Sequence, residues 1–227
     1  REKQKSFCII INFEKIKNLN GMNFITKNQI KIPKRNPNSH KGDNGTVLAI
    51  GGSEDFPGAI TLSGLAALRS GCDLVKIIAP EKVAWAINAY SPDLITIKVH
   101  DKFLKLNHFE IVKKNVEKVD VLLIGNGIGL NQETKNFCKK TVKNIKKFKV
   151  IDADAIKSVS MNDCKDSIIT PHSKEMEIFL SNSKIDKKII KNISDEKNIS
   201  RKSNLIKKTL QNFLNNENIV ILKGKID

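Results

Sequence analysis

Seven short apolar runs, most of them rich in β-branched residues, punctuate the chain, and between them apolar positions return every three or four residues. The runs fall at 46–51 (TVLAIG), 74–79 (LVKIIA), 94–99 (LITIKV), 120–124 (DVLLI), 148–152 (FKVID), 167–170 (SIIT) and 219–222 (IVIL). Several are almost continuously apolar, the pattern of strands covered by helices on both faces. Helical spacing occupies 57–70, 81–89, 108–118, 131–146, 173–180 and 202–216. Strand, helix, strand at this cadence predicts an α/β fold with a central, mostly parallel sheet and right-handed crossovers. Residues 181–200 break the cadence and read as a long polar connection with room for one short helix.

The ends read differently. Residues 1–30 are expected to be a linker, the remnant of an upstream domain, or sequence ahead of a natural start at Met22. The α/β domain is taken as 31–227, entered through the turn-rich KIPKRNPNSHKGDNG at 31–45. The closing VILKGKID sets a strand and a turn at the end of the sequence, so further sequence is expected downstream of Asp227.

Glycines mark two strand ends. After the first run stand Gly51 and Gly52, followed by Pro57 at a position suited to the first turn of a helix. Ser53 or Asp55 is the expected cap, and Gly71 the expected stop, with Arg69 in the last turn. Ala59, Ser63, Gly64, Ala66 and Ala67 keep that helix slim enough for a sheet, a ligand or another subunit to lie close. After the fourth run, Gly125, Gly127 and Gly129 precede another helix. Neither turn has the spacing of a dinucleotide fingerprint or a phosphate loop. Two such turns at the carboxyl ends of parallel strands nonetheless point to an anion or amide site there. VIDADAI adds Asp152 and Asp154 at a third strand end, TPHSKEM adds His172 and Glu175 at a fourth, and Lys223 and Gly224 follow the last.

Composition narrows the field. The 227 residues are 40% apolar, enough for a self-sufficient core. Lys and Arg number 40 against 24 Asp and Glu, a formal charge of +16 that favours anionic ligands. The lysines are spread among Ile, Val and Asn on helix patterns, and one Trp and one Tyr give no stacking platform, which weighs against nucleic acid. Cys8, Cys72, Cys138 and Cys164 lack metal or disulfide spacing and read as reduced thiols of a cytoplasmic protein. No apolar run reaches the roughly 18 residues of a membrane span.

Taken in order, HKGDNGTVLAIGGSEDFPGAITLSGLAALRSGCDLVKIIAP, GNGIG, VIDADAI, TPHSKEM and LKGKID resemble the nucleotide-dependent NAD(P)H-hydrate dehydratases over roughly residues 40–227. The resemblance implies a ribokinase-like three-layer α/β fold and a hydro-lyase that repairs hydrated nicotinamide cofactors. It implies conversion of (S)-NADHX or (S)-NADPHX to NADH or NADPH, with Mg2+ and with ADP, or alternatively ATP, as phosphate donor. Carried over by motif, Ala59, Gly127 and His172 would contact the hydrated cofactor, and Lys223, Gly224 and Asp227 the nucleotide phosphates. Asp152 and Asp154 would shape the site near the substrate or its cation. Self-association and a fused or separate epimerase belong to the same expectation.

The sequence departs from the family pattern in three places. Asn126 stands where the family usually has proline, and Ser173 and Lys174 replace the proline and glycine of TPHPGE. The late asparagine-proline-glycine and GTGD motifs have no counterpart, so no catalytic residue and no metal ligand is nominated. Competing readings are a ribokinase-like small-molecule kinase, a basic nucleic-acid-binding module, and a non-catalytic association domain.

Overall fold

A computed structural model describes residues 34–224, together with the backbone of four short strands ahead of them. Those strands form two antiparallel pairs, β1 (Ile10–Ile11) with β4 (Ile30–Lys31) and β2 (Lys17–Leu19) with β3 (Met22–Phe24). The expectation of a linker or domain remnant at 1–30 otherwise lies outside the described residues.

The domain is a seven-stranded sheet in which every pairing is parallel. Its strands are β5 (Thr46–Ile50), β6 (Leu74–Pro80), β7 (Ile95–Val99), β8 (Val121–Ile124), β9 (Phe148–Ile151), β10 (Ser167–Ile169) and β11 (Ile219–Val220). Their order across the sheet is β11-β10-β9-β8-β5-β6-β7. The chain therefore winds outward from β5 to β7, returns to lay β8 against the free side of β5, and winds outward again. The β5/β8 seam is the point at which the direction of winding reverses, where open parallel sheets leave a crevice at the carboxyl ends of their strands.

Alternation along β5 explains why helices cover both faces. Val47 and Ala49 join Ile60 of α1 (Pro57–Arg69) and Val83, Ala84 and Ile87 of α2 (Glu81–Tyr90) in one core. Leu48 and Ile50 enter the other, with Val112 of α3 (Phe109–Val116), Phe137 of α4 (Gln132–Asn144) and Phe179 of α5 (Ser173–Asn182). This second core runs on under α6 (Lys187–Asp195), α7 (Ile199–Thr209) and α8 (Gln211–Leu214), through Ile193, Ile206 and Phe213. Phe179 and Phe213 meet edge to face at 5.6 Å, joining α5 to the end of the helical run.

Three local expectations need correction. Residues 181–200 hold α6 and the start of α7, not one short helix: Asp186 caps Lys188 N and Asn198 caps Arg201 N. The helix expected at 202–216 begins at Ile199 and breaks at Leu210 into α7 and α8. Neither Ser53 nor Asp55 caps α1; Phe56 occupies the cap position without a side-chain bond, and Pro57 opens the helix as expected. Gly71, at φ 103°, ends the α1 region as expected. Ahead of β5, the Asp73 carboxylate accepts from Gly42 N, Asn44 N and Asn44 Nδ2 and pairs with Arg35, tying the entering segment to the amino end of the sheet. Among the described residues no helix is long and apolar enough to cross a membrane.

The glycines at the seam are required by contact. A Cβ on Gly51 would stand 2.4 Å from Asn126 O, and one on Gly125 1.9 Å from Asp152 O; Gly125 also sits at φ 125°. Gly129, at φ 89°, faces open space. Gly125→Ala is expected to cost about 3 kcal/mol or more, because backbone must move, whereas Gly129→Ala should cost only the roughly 1–2 kcal/mol of left-handed strain. Denaturant midpoints of the two variants, compared with wild type, check this ranking.

Candidate active site

The carboxyl ends of β5, β8, β9, β10 and β11 bring most of the expected residues to one edge. The sheet ladder continues past the strands proper, with Gly52 N donating to Asn126 O (2.9 Å), Asp152 N to Ile124 O (3.0 Å), Thr170 N to Ile151 O (3.2 Å) and Lys223 N to Pro171 O (2.8 Å). Each loop is thus fixed by its neighbour before any side chain acts.

Two clusters result. In the first, Gly127 at φ 65° lies against the start of α1: its missing Cβ would stand 2.6 Å from Phe56 O and 3.1 Å from Ala59 Cβ. The small residues at 59 and 127 therefore face each other across the seam. In the second, Asp152 is the hub. Its Oδ1 accepts from Lys223 Nζ (2.7 Å) and Thr170 Oγ1 (2.7 Å), and its Oδ2 from Asn126 Nδ2 (2.9 Å). Burial pushes the carboxyl pKa up, but the bonds from Lys223 and Thr170 and the lysine charge outweigh it, and the net displacement is downward. Asp152 is accordingly an ionised carboxylate with donors on both oxygens.

His172 stands beside this hub. It caps α5: Glu175 returns the bond to His172 N (3.0 Å), while Glu175 N approaches His172 Nδ1 at 3.4 Å and His172 Nε2 lies 3.3 Å from Glu175 Oε1. The buried Glu175 carboxylate also lies 3.8 Å from Lys223 Nζ, so histidine and lysine share one acid. Both ring nitrogens face Glu175, which leaves the ring's carbon edge and faces for any ligand.

Asp154 does not join Asp152. The residue between them, Ala153, adopts φ 50°, a left-handed conformation that costs a non-glycine residue of order 1 kcal/mol and marks a constrained turn. Asp154 instead accepts from Gly129 N (3.1 Å) and Lys157 Nζ (2.8 Å), bracing the glycine loop from below. Gly224 follows Lys223 at an exposed bend, and Asp227 lies outside the described residues. Sequence reasoning passed over the role of Thr170; a strand-end threonine directly before Pro171 was the available signal. An open groove of about 450 Å³ lies elsewhere, lined by α5 and α6 residues including Ile178, Lys187 and Ile190, and contains none of these groups.

The charges decide what this edge can hold. Asp152, Glu175 and Asp154 face two lysines, Lys223 and Lys157, so the lysines do not by themselves make a strongly cationic phosphate site. Nor do the carboxylates form a magnesium cage: each aspartate already carries a lysine, and among the described residues no group of three His, Cys, Asp or Glu converges. Magnesium commonly takes one or two carboxylates and completes its shell with phosphates and water.

Comparison with known proteins shows the family and the fold. The sequence pattern of NAD(P)H-hydrate dehydratase matches residues 47–227. The chain belongs to the NAD(P)H-hydrate dehydratase family. It is 40% identical over 188 residues to the bifunctional NAD(P)H-hydrate repair enzyme Nnr of Methanocaldococcus jannaschii, covering 74% of this chain and 38% of that protein. It is 34% identical over 159 residues to the ADP-dependent (S)-NAD(P)H-hydrate dehydratase of Staphylococcus aureus, covering 67% and 55%. The crystal structure of the ADP/ATP-dependent NAD(P)H-hydrate dehydratase of Bacillus subtilis, co-crystallised with ATP and Mg2+, superposes with a TM-score of 0.62 at 23% identity, over 85% of this chain and 62% of that one. A ribokinase-like superfamily protein of Enterococcus faecalis superposes at 0.64 and 22% identity, over 84% and 61%, and these two likenesses establish the ribokinase-like fold. The chain thus spans well under half the length of the M. jannaschii relative and just over half that of the S. aureus one.

The lowered Asp152 pKa has a definite sign in the stability curve. The unfolded carboxylate titrates near 3.9, so the stabilisation is intact above that pH and disappears as pH falls through the lower folded value. Asp152→Asn should cost about 1–3 kcal/mol at neutral pH and flatten the loss below about pH 4. Urea unfolding from pH 7 down to the acid limit tests both halves.

Proposed function

We propose that this family member dehydrates (S)-NADHX or (S)-NADPHX to the reduced cofactor, with ADP, or alternatively ATP, as phosphate donor and Mg2+ accompanying the nucleotide. The observation that carries the reading is the convergence of the Gly127/Ala59 contact and the Lys223–Asp152–His172 cluster on the carboxyl edge of one parallel sheet. The name of the S. aureus relative supports ADP, and that of the B. subtilis protein leaves ATP open.

In this reading the hydrated nicotinamide lies over the glycine loop, where Gly127 and Ala59 leave room for a flat ring and the His172 ring meets it edge or face on. Lys223, with Gly224 and Asp227 following, lies at the phosphates of the nucleotide. The phosphoryl group passes to the hydroxyl of the hydrate; phosphate then leaves with loss of a ring proton, and the double bond re-forms. Positioning and charge neutralisation supply most of the help to such a transfer. Asp152 holds the Lys223 ammonium in place through its Oδ1, and Asp154 holds the loop. The bifunctional M. jannaschii relative supports an epimerase partner, fused or separate. Exposed Phe56 and Leu62 on and beside α1 support self-association.

The experiment is the return of reduced-nicotinamide absorbance from (S)-NADHX with Mg2+ and ADP, ATP or no nucleotide. Recovery only with nucleotide is expected, faster with ADP. A phosphorylated product that accumulates without elimination would favour a small-molecule kinase, and no reaction with any donor would remove the dehydratase reading.

A further inference from the structure

Asn126 replaces the proline usual in the resembling family, and its surroundings give that replacement a role. Its backbone carbonyl is pinned by Gly52 N at 2.9 Å, in a seam too tight for a Cβ on Gly51, so its side chain has little freedom of placement. The side chain reaches across to β9 and donates Nδ2 to Asp152 Oδ2 at 2.9 Å. The opposite amide orientation would set a carbonyl oxygen against an ionised carboxylate, so the donor assignment follows from the charge on Asp152.

This single bond is made at a loss. Asn126 Oδ1 is shielded from solvent and accepts no hydrogen bond from any of the described residues; the other such side-chain atom among them, Thr141 Oγ1, lies in α4 away from this edge. An unpaired buried amide oxygen is unfavourable, and native structures retain few of them. A residue kept only for loop packing would have no reason to leave it so. Meanwhile Thr170 and Lys223 both bond to Oδ1 of Asp152, and Asn126 alone holds Oδ2 by a side chain.

We propose that Asn126 is a positioning residue for the Asp152–Lys223 pair: its Nδ2 bond fixes the carboxylate rotation that turns Oδ1 toward Lys223, and so fixes where the Lys223 ammonium waits for a nucleotide phosphate. The last clause rests on the function proposed above; the first does not. Without the Asn126 donor, no side chain holds Oδ2, the carboxylate turns more readily about its Cβ–Cγ bond against the Thr170 and Lys223 bonds to Oδ1, and Lys223, whose side chain is 39% exposed, spends more time toward solvent.

The test uses two readouts on wild type, Asn126→Ala and the similarly sized Asn126→Leu, which keeps the bulk and removes the donor without adding charge. The first readout needs no nucleotide: the rate at which an amine-acetylating reagent modifies Lys223, followed by mass spectrometry. Exposed Lys102 serves as the reference and buried Lys149 as the check that the fold is intact. Both variants should raise Lys223 modification several-fold, toward the rate of Asp152→Asn, with Lys149 unchanged. The second readout is ADP affinity by calorimetry, expected to weaken about tenfold, the equivalent of 1.4 kcal/mol. Lys223 modification that stays at the wild-type rate in both variants overturns the proposal. Raised modification in variants of a wild-type protein that binds no ADP supports the Asn126 role and overturns the nucleotide reading instead.

Discussion

Two backbone contacts at the seam of the sheet set the geometry of everything else at its carboxyl edge: the β5 turn against Asn126, and the β8 turn against Asp152. Both are too close for any side chain on the glycine involved, since Cβ atoms there would lie 2.4 Å and 1.9 Å from carbonyl oxygens. Parallel strands joined by helical crossovers deliver their loops to the same edge, but only loops that touch act as one rigid surface. Here three successive loops are locked in series before their side chains are considered, and the ladder carries on through Thr170 and Lys223 to the outer strand.

On that rigid edge the chemistry is organised around a carboxylate, with the lysine as its partner. Asp152 carries bonds from three side chains on three different loops, which is why it remains charged although half buried. The lysine in turn lies near the acid that holds the histidine. This continuity joins His172, assigned by resemblance to the cofactor, and Lys223, assigned to the nucleotide, in one network. It also explains why a formal charge of +16 does not translate into a cationic site. The excess lysines are distributed over the helices, while the edge itself sets Lys223 and Lys157 against Asp152, Asp154 and Glu175.

The sheet was legible in the sequence because its strands are buried on both faces and read as uninterrupted apolar runs, with a glycine, proline or aspartate closing many of them. The site was legible as a set of strand ends, and the motif order supplied roles that no single turn could. What could not be read was which side chains meet. Asp152 and Asp154 are two residues apart and looked like a pair, yet the left-handed turn at Ala153 sends one to Lys223 and the other to Gly129. The region 181–209 was misjudged because its two helices bury one residue each, Ile193 and Ile206, so their apolar stripe is thin. The capping residues Asp186 and Asn198 were the clearer signal. Asn126 registered only as a departure from a pattern, since its value lies in a bond across 26 residues of sequence.

The central claim is that ligands bind on the carboxyl edge formed by these interlocked loops. The measurement that meets it most directly is a crystal structure of the protein with ADP and a reduced nicotinamide nucleotide bound together. The account predicts the nicotinamide over Gly127 and beside His172, with nucleotide phosphate within hydrogen-bond reach of Lys223. Occupancy of the α5–α6 groove, with the Gly125–Gly129 loop and Lys223 left untouched, would contradict it.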